Sequence, residues 1–263
     1  MMLNHYRAGH GEPLVLVHGL GSRWQMWEPV IDRLVAHRDV IALDLPGFGA
    51  SPMPPAGTPA GIGSLASLVT GFLDELGIRR PHAAGNSLGG WLALELARRG
   101  LVRSAAAISP AGFANRPETV GARGSLWLAV RAARRLAPHA ESVLGRPAGR
   151  RAALGLFIAR PTQVPPAAAA ADVRGLADAP WFDETLATIK PAGFTGGEQI
   201  EVPVTIAWGS KDRLLLPRQA KRAARAIPRA RSVTLEGCGH LATYDDPEQV
   251  ARVLLQSSAA LGI

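Results

Sequence analysis

Gly85-Asn86-Ser87-Leu88-Gly89-Gly90 sets a serine among glycines, with a short strand candidate, Pro81 to Ala84, ahead of it and a helical pattern, Leu88 to Arg99, behind it. A chain that passes from strand to helix in so few residues must turn sharply at the serine. Glycines at 85 and 89 remove the bulk that such a turn would otherwise drive together. The hydroxyl then projects from the end of a sheet, beside a helix N-terminus whose free N–H groups and dipole favour a developing negative charge. Gly-x-Ser-x-Gly alone is a moderate signal, met equally by a loop or cap serine, so its weight depends on what else the chain carries.

Three further segments carry that weight. Leu14-Val15-Leu16-Val17-His18-Gly19-Leu20-Gly21 is an apolar strand running into a His-Gly-x-Gly loop. Val204-Thr205-Ile206-Ala207-Trp208-Gly209-Ser210-Lys211-Asp212 is a strand ending in an acid, and Gly237-Cys238-Gly239-His240 follows a strand candidate at Ser232 to Leu235. With these four stations the chain resembles the α/β-hydrolase superfamily over nearly its whole length, in the order nucleophile, acid, histidine that the family uses. The resemblance implies a mostly parallel central sheet with helices on both faces and an inserted helical cap. It divides the chain into core residues 1–111, a cap at 112–197 and core residues 198–263.

At 263 residues with 47% hydrophobic content, the chain is long enough for one large α/β domain with an insertion and a substantial core. The net charge is +8, and with lysine only at 190, 211 and 221 nearly all of the positive charge is arginine. These arginines are scattered along the sequence rather than gathered on one element with interleaved aromatics, which argues against a nucleic-acid partner. One cysteine, Cys238, excludes an intrachain disulfide and gives no sign of an oxidising compartment. The segment Met1 to Glu12 is polar and does not read as a secretory signal. No run of about 18 apolar residues predicts a membrane span. A cytoplasmic protein acting on a small molecule is the expectation.

In chain order, Leu3 to Arg7 predicts one short opening strand, where the family has a longer strand pair. The run Leu14 to Val17 suits a parallel strand covered on both faces. Trp24, Met26, Trp27, Val30, Ile31 and Leu34 recur at helical spacing, mostly as core, with Trp24 nearest the glycine loop and a candidate for the substrate pocket. Val40 to Leu43 is a strand closed by Asp44-Leu45-Pro46-Gly47-Phe48-Gly49, in which Asp44 reads as structural because it precedes Ser87. A helix follows from about Gly63 to Leu76 with one apolar face, then a strand at Ala105 to Ser109. From about Gly112 to Thr195 the alternation of strand and helix gives way to arginine-rich helical patterns broken by prolines, where Leu126, Val130, Ala133 and Ala137 share a face. The run Ala167 to Ala171 fits either plain helix or a hinge. Helices around Pro217 to Ala226 and from Pro247 to about Ser257 complete a pattern of strands separated by helices.

The resemblance assigns chemistry residue by residue. Ser87 is the nucleophile, a poor one at neutral pH unless a base takes its proton as it attacks. His240 is that base, and Asp212 the carboxylate that fixes its tautomer and stabilises the imidazolium. Asp245 and Asp246 are rivals by proximity to His240, read instead as caps of the Pro247 helix. His18 braces the loop around Gly19, and Cys238 packs. The backbone N–H groups of Leu20 and Leu88 look like the oxyanion pair, each such donor worth about 3 to 4 kcal/mol in the transition state. Asn86 joins Trp24 as a pocket candidate. Neither a metal nor another cofactor is called for, since no His-x-x-x-His or paired cysteines occur.

The leading reading is a serine hydrolase that works through an acyl-enzyme on carboxylic esters, carboxylesterase-like or lipase-like, with an apolar acyl or alcohol part. A second is carbon–carbon bond hydrolysis of ring-cleavage dienoic acids, whose hydrolases share Gly-Asn-Ser-x-Gly-Gly and Gly-Cys-Gly-His. Against it stand Gly19-Leu20-Gly21-Ser22-Arg23, where those enzymes carry a glycine-proline-rich loop, and Leu241 where they carry tryptophan. Cap arginines such as Arg131 or Arg160 are candidates to bind an acidic substrate. A third reading is a non-hydrolytic binding or biosynthetic, cyclase-like role on the same fold.

Overall fold

A computed structural model describes residues 1–259. Among the described residues seven strands form one sheet: β1 (His5–Gly9), β2 (Pro13–Val17), β3 (Asp39–Leu43), β4 (His82–Asn86), β5 (Ser104–Ile108), β6 (Val204–Gly209) and β7 (Arg231–Leu235). Their spatial order is β1-β3-β2-β4-β5-β6-β7. Only the edge strand β1 runs antiparallel, with His5 opposite Leu43, and every other pairing is parallel. The expected opening strand therefore forms two residues later than the sequence pattern suggested.

The continuous apolar run of β2 has a simple cause. Side chains alternate across a strand, so a strand covered on both faces needs apolar residues at every position. Leu14 and Leu16 pack against α1 (Glu28–Val35) and α11 (Pro247–Ala259), while Val15 and Val17 face α2 (Ile62–Glu75) and α3 (Leu88–Arg98). All four are at most 1% exposed, each worth about 1.5 to 3 kcal/mol of burial. Every residue of α3 from Leu88 to Ala97 is buried, so this helix shows no polar stripe.

Between β5 and β6 the chain departs from the layers into α4 (Arg116–Leu136), α5 (Ala140–Leu144), α6 (Pro147–Leu154), α7 (Pro166–Ala177) and α8 (Phe182–Thr188). Asn115 and Glu118 cap α4 reciprocally: Asn115 Oδ1 accepts from Glu118 N–H at 3.0 Å and Glu118 Oε2 from Asn115 N–H at 2.9 Å. These helices own a separate small core that includes Val164, Ala169 and Ala170, so the alanine run is regular helix inside α7 rather than a break. Trp181 and Phe182 pack into the main core and fix the insertion over the ends of the strands. After β6 come α9 (Gln219–Ala226) and, past β7, α10 (Ala242–Asp245).

Candidate active site

Ser87 sits at the junction of β4 and α3 with φ 59° and ψ −116°, a backbone conformation that side-chain-bearing residues rarely adopt and that costs of order 1 to 3 kcal/mol. The flanking glycines make it possible. A Cβ at Gly85 would lie 2.1 Å from the Gly89 carbonyl oxygen, and one at Gly89 would lie 2.2 Å from that of Val17. Ser87 accepts the first backbone bond of α3 from Trp91 N–H at 3.0 Å, so the N–H groups ahead of it, that of Leu88 first, have no helical acceptor.

Asp212 and His240 meet through the loops that follow β6 and β7. Gly209 lets these loops touch, since a Cβ there would lie 2.3 Å from the Gly239 carbonyl oxygen, and Lys211 N–H donates to Cys238 O at 2.8 Å. Asp212 Oδ1 accepts from Leu214 N–H and Leu215 N–H, both at 2.9 Å, and its Oδ2 lies 2.8 Å from His240 Nδ1. A carboxylate is an acceptor, so the proton of this contact belongs to Nδ1, and in the neutral imidazole the free lone pair is then on Nε2. Asp212 and His240 are each 3% exposed.

Ser87, His240, Leu20 and Leu88 border one cavity of about 620 Å³ between the strand ends and the insertion, lined mainly by Leu, Ala, Val and Ile side chains. On its Leu20 side, His18 Nδ1 lies 2.7 Å from Gly19 O and His18 Nε2 accepts from Leu45 N–H at 2.9 Å. The backbone donor at Nε2 fixes the other nitrogen as the protonated one, so His18 is neutral and donates to Gly19 O. Burial also holds its pKa below the usual histidine value. Ser22 N–H donates to the same oxygen at 3.1 Å. In a planar trans peptide this turns the Leu20 N–H the opposite way from the pinned carbonyl.

Asn86 also borders the cavity, but its amide nitrogen is committed: Nδ2 donates to Ile108 O at 3.2 Å and to His240 O at 2.9 Å. It ties the histidine loop to the strand that carries the serine. Trp24 is not on the cavity wall. Its ring stacks on Tyr6 at 5.1 Å and its backbone N–H donates to Asp44 Oδ1 at 2.7 Å, which draws it back toward the β1 side of the sheet. Asp44 is structural, accepting also from Asn4 Nδ2 and Ala50 N–H.

Of the two acids after His240, Asp246 caps α11 through Gln249 N–H at 2.8 Å. Asp245 does not cap: its carboxylate turns back to accept from Gly239, Ala159 and Arg160 N–H groups at 2.8, 3.0 and 2.7 Å. It clamps the histidine loop to the insertion, because three unpaired backbone donors outcompete a helix end already served by Asp246. Cys238 is buried, and burial together with Asp245 and Asp246 pushes its thiol up to about 12, so it carries no thiolate at neutral pH.

One cluster escaped sequence reasoning. Asp172 of α7 lies 3.6 Å from Arg23, in the loop after β2, and accepts from Tyr244 Oη of α10 at 2.7 Å. Burial raises the Asp172 pKa against the opposing pull of Tyr244 and Arg23. Nothing in sequence spacing links residues so far apart.

The chain belongs to the alpha/beta hydrolase family, whose model matches residues 14–253. It is 28% identical over 251 residues to the dihydrolipoyllysine-residue acetyltransferase component of an acetoin cleaving system from Cupriavidus necator, covering 91% of this chain and 61% of that protein. It thus spans about three fifths of that relative. Over 99 residues, 36% of each chain, it is 41% identical to a 2-hydroxy-6-oxo-2,4-heptadienoate hydrolase from Pseudomonas putida. Among solved structures, a thermophilic esterase from Thermogutta terrifontis superposes with TM-score 0.73 at 23% identity, covering 97% of this chain and 92% of that one. Among the described residues no helix is long and apolar enough to cross a membrane.

Proposed function

We propose that Ser87, His240 and Asp212 form a catalytic triad, and that the protein hydrolyses carboxylic esters with an apolar acyl or alcohol part through an acyl-enzyme. The observation that carries this reading is the buried 2.8 Å contact between Asp212 and His240 on the wall of a largely apolar cavity that Ser87 also borders. In this mechanism His240 Nε2 takes the Ser87 proton as Oγ attacks the acyl carbon, and Asp212 stabilises the imidazolium. The oxyanion meets the N–H groups of Leu20 and Leu88, and the insertion acts as a cap that excludes water around it. His240 then protonates the leaving alkoxide, and water, deprotonated by the same histidine, releases the acid.

Ser87→Ala tests the reading directly. Turnover of short p-nitrophenyl esters is expected to fall by about a thousandfold or more with the thermal midpoint retained. Unchanged turnover refutes it.

The local likeness to a dienoate hydrolase favours carbon–carbon bond cleavage as the second reading. An acidic substrate needs an unpaired cation in the cavity, and while Arg23 faces Asp172, Arg123 and Lys190 are the other cations that line it. Loss of dienoate absorbance on mixing, absent with esters, would transfer the assignment to it.

A further inference from the structure

The outer face of α4 is apolar and basic at once. Among the described residues five large apolar side chains are strongly exposed, and three of them belong to this one helix: Val120 at 66%, Trp127 at 44% and Leu128 at 61%. Val120 and Trp127 lie two turns apart on one stripe, and Arg116, Arg123, Arg131 and Arg134 fall on the same stripe at helical spacing. The Arg131 guanidinium sits 4.1 Å from the centre of the Trp127 ring. Arginines that looked scattered in the sequence are thus gathered by the helix, five of them on α4, around an aromatic side chain.

Little on the protein neutralises them. The one acid of α4, Glu118, is buried and already bound by Arg218 and Arg222. Arg123, Arg131 and Arg134 border a surface recess with Trp127, and the single carboxylate lining it is Asp183, 3.5 Å from Arg134. Leu128 belongs both to the exposed face and to the wall of the large cavity, so the rim of that cavity is continuous with the patch.

We propose that this face of α4 docks on an anionic lipid surface, with Arg123, Arg131 and Arg134 meeting lipid phosphates and Val120, Trp127 and Leu128 entering the headgroup boundary. Guanidinium groups match phosphate oxygens two at a time, and tryptophan favours a boundary that is apolar below and wet above. A helix with arginine and exposed Trp and Leu is the form that lies in such an interface. A second copy of this chain is a poor occupant, because a two-fold contact would set five arginines against five. A nucleic acid would use the guanidinium groups and leave Val120 and Leu128 in water. The docking depends on the surface of α4 alone and not on the serine hydrolase reading.

Sedimentation of the full chain with vesicles tests it, using phosphatidylcholine alone and an equal mixture of phosphatidylcholine and phosphatidylglycerol. The wild type is expected to sediment with the mixed vesicles, less so at high salt, and not with phosphatidylcholine alone. Combined R123Q, R131Q and R134Q should weaken binding by roughly a hundredfold. W127F should abolish most of the blue shift of tryptophan emission on vesicle addition. All four side chains are exposed, so thermal midpoints near wild type show that the variants fold. Failure to sediment, equal binding to neutral vesicles, undiminished binding by the triple variant, or tighter binding to duplex DNA than to mixed vesicles would each overturn the proposal.

Discussion

At the floor of the cavity Gly85 and Gly89 would each bring a Cβ to within about 2.2 Å of a backbone oxygen, whereas on its far side Gly121 and Gly124 of α4 have nothing within 4 Å of where a Cβ would go. The floor is over-determined. His18, Asp212, His240 and the Asn86 amide nitrogen are each held by named partners at four strand ends, and Ser87 sits in a backbone conformation that side-chain-bearing residues rarely adopt. The roof is a set of helices filled with alanine and leucine, held by a small core of its own and a few clamps. Backbone packing forbids substitution at the floor and tolerates it in the roof.

The sharpest break of this contrast is at the floor. Asp212→Asn keeps the shape but offers one oxygen where two are used, one for Leu214 and Leu215 N–H and one for His240. The imidazole then loses its fixed tautomer. On the proposed mechanism kcat for p-nitrophenyl esters is expected to drop by about 10⁴, with the fold retained. A loss below about tenfold would mean that another acid serves His240, and Asp245 would be the first to test.

Asn86→Ala asks whether the floor needs its indirect supports. The variant removes the tie from Asn86 Nδ2 to His240 O without touching any group that meets substrate in the proposed mechanism. A shift of about 1 Å in a reacting group costs on the order of a hundredfold, so kcat should fall roughly ten- to a hundredfold while KM stays near wild type. A rise in KM with kcat unchanged would make Asn86 a pocket residue instead.

Acid should loosen the floor through His18. Its Nε2 accepts Leu45 N–H, so protonation sets two donors face to face, and burial already lowers its pKa. In the unfolded chain the imidazole takes up a proton near pH 6.5, so the unfolded state binds more protons below that point. The contribution of His18 to stability is therefore complete above about pH 6.5 and is lost as pH falls toward its depressed folded value. His18→Asn should melt below wild type at pH 8, with the difference narrowing toward pH 5. A constant difference would remove His18 from the acid sensitivity.

How much of this was legible in the sequence follows the same division. The four stations were readable because backbone geometry dictates residue type there: only glycine fits at 85 and 89, and only a buried parallel strand calls for Leu14-Val15-Leu16-Val17. Side chains that act across long separations were not. Asp245 could be placed next to a helix start but not turned back onto residues 159 and 160, and Trp24 could be placed near the glycine loop but not on Tyr6. In the insertion, residue type barely constrains position, since Ala167 to Ala171 suits any helix and the arginines acquire a pattern only when α4 winds them onto one side.

The mildest test works on the roof. Gly124 lies inside α4 with open space where a Cβ would go, so Gly124→Ala removes unfolded-chain freedom and adds no clash. The variant is expected to be more stable by about 0.5 to 1 kcal/mol, read as a rise in urea midpoint at unchanged slope, with ester turnover little altered. If it destabilised the protein instead, α4 would be packed against something on that side, and the roof would be as exacting as the floor.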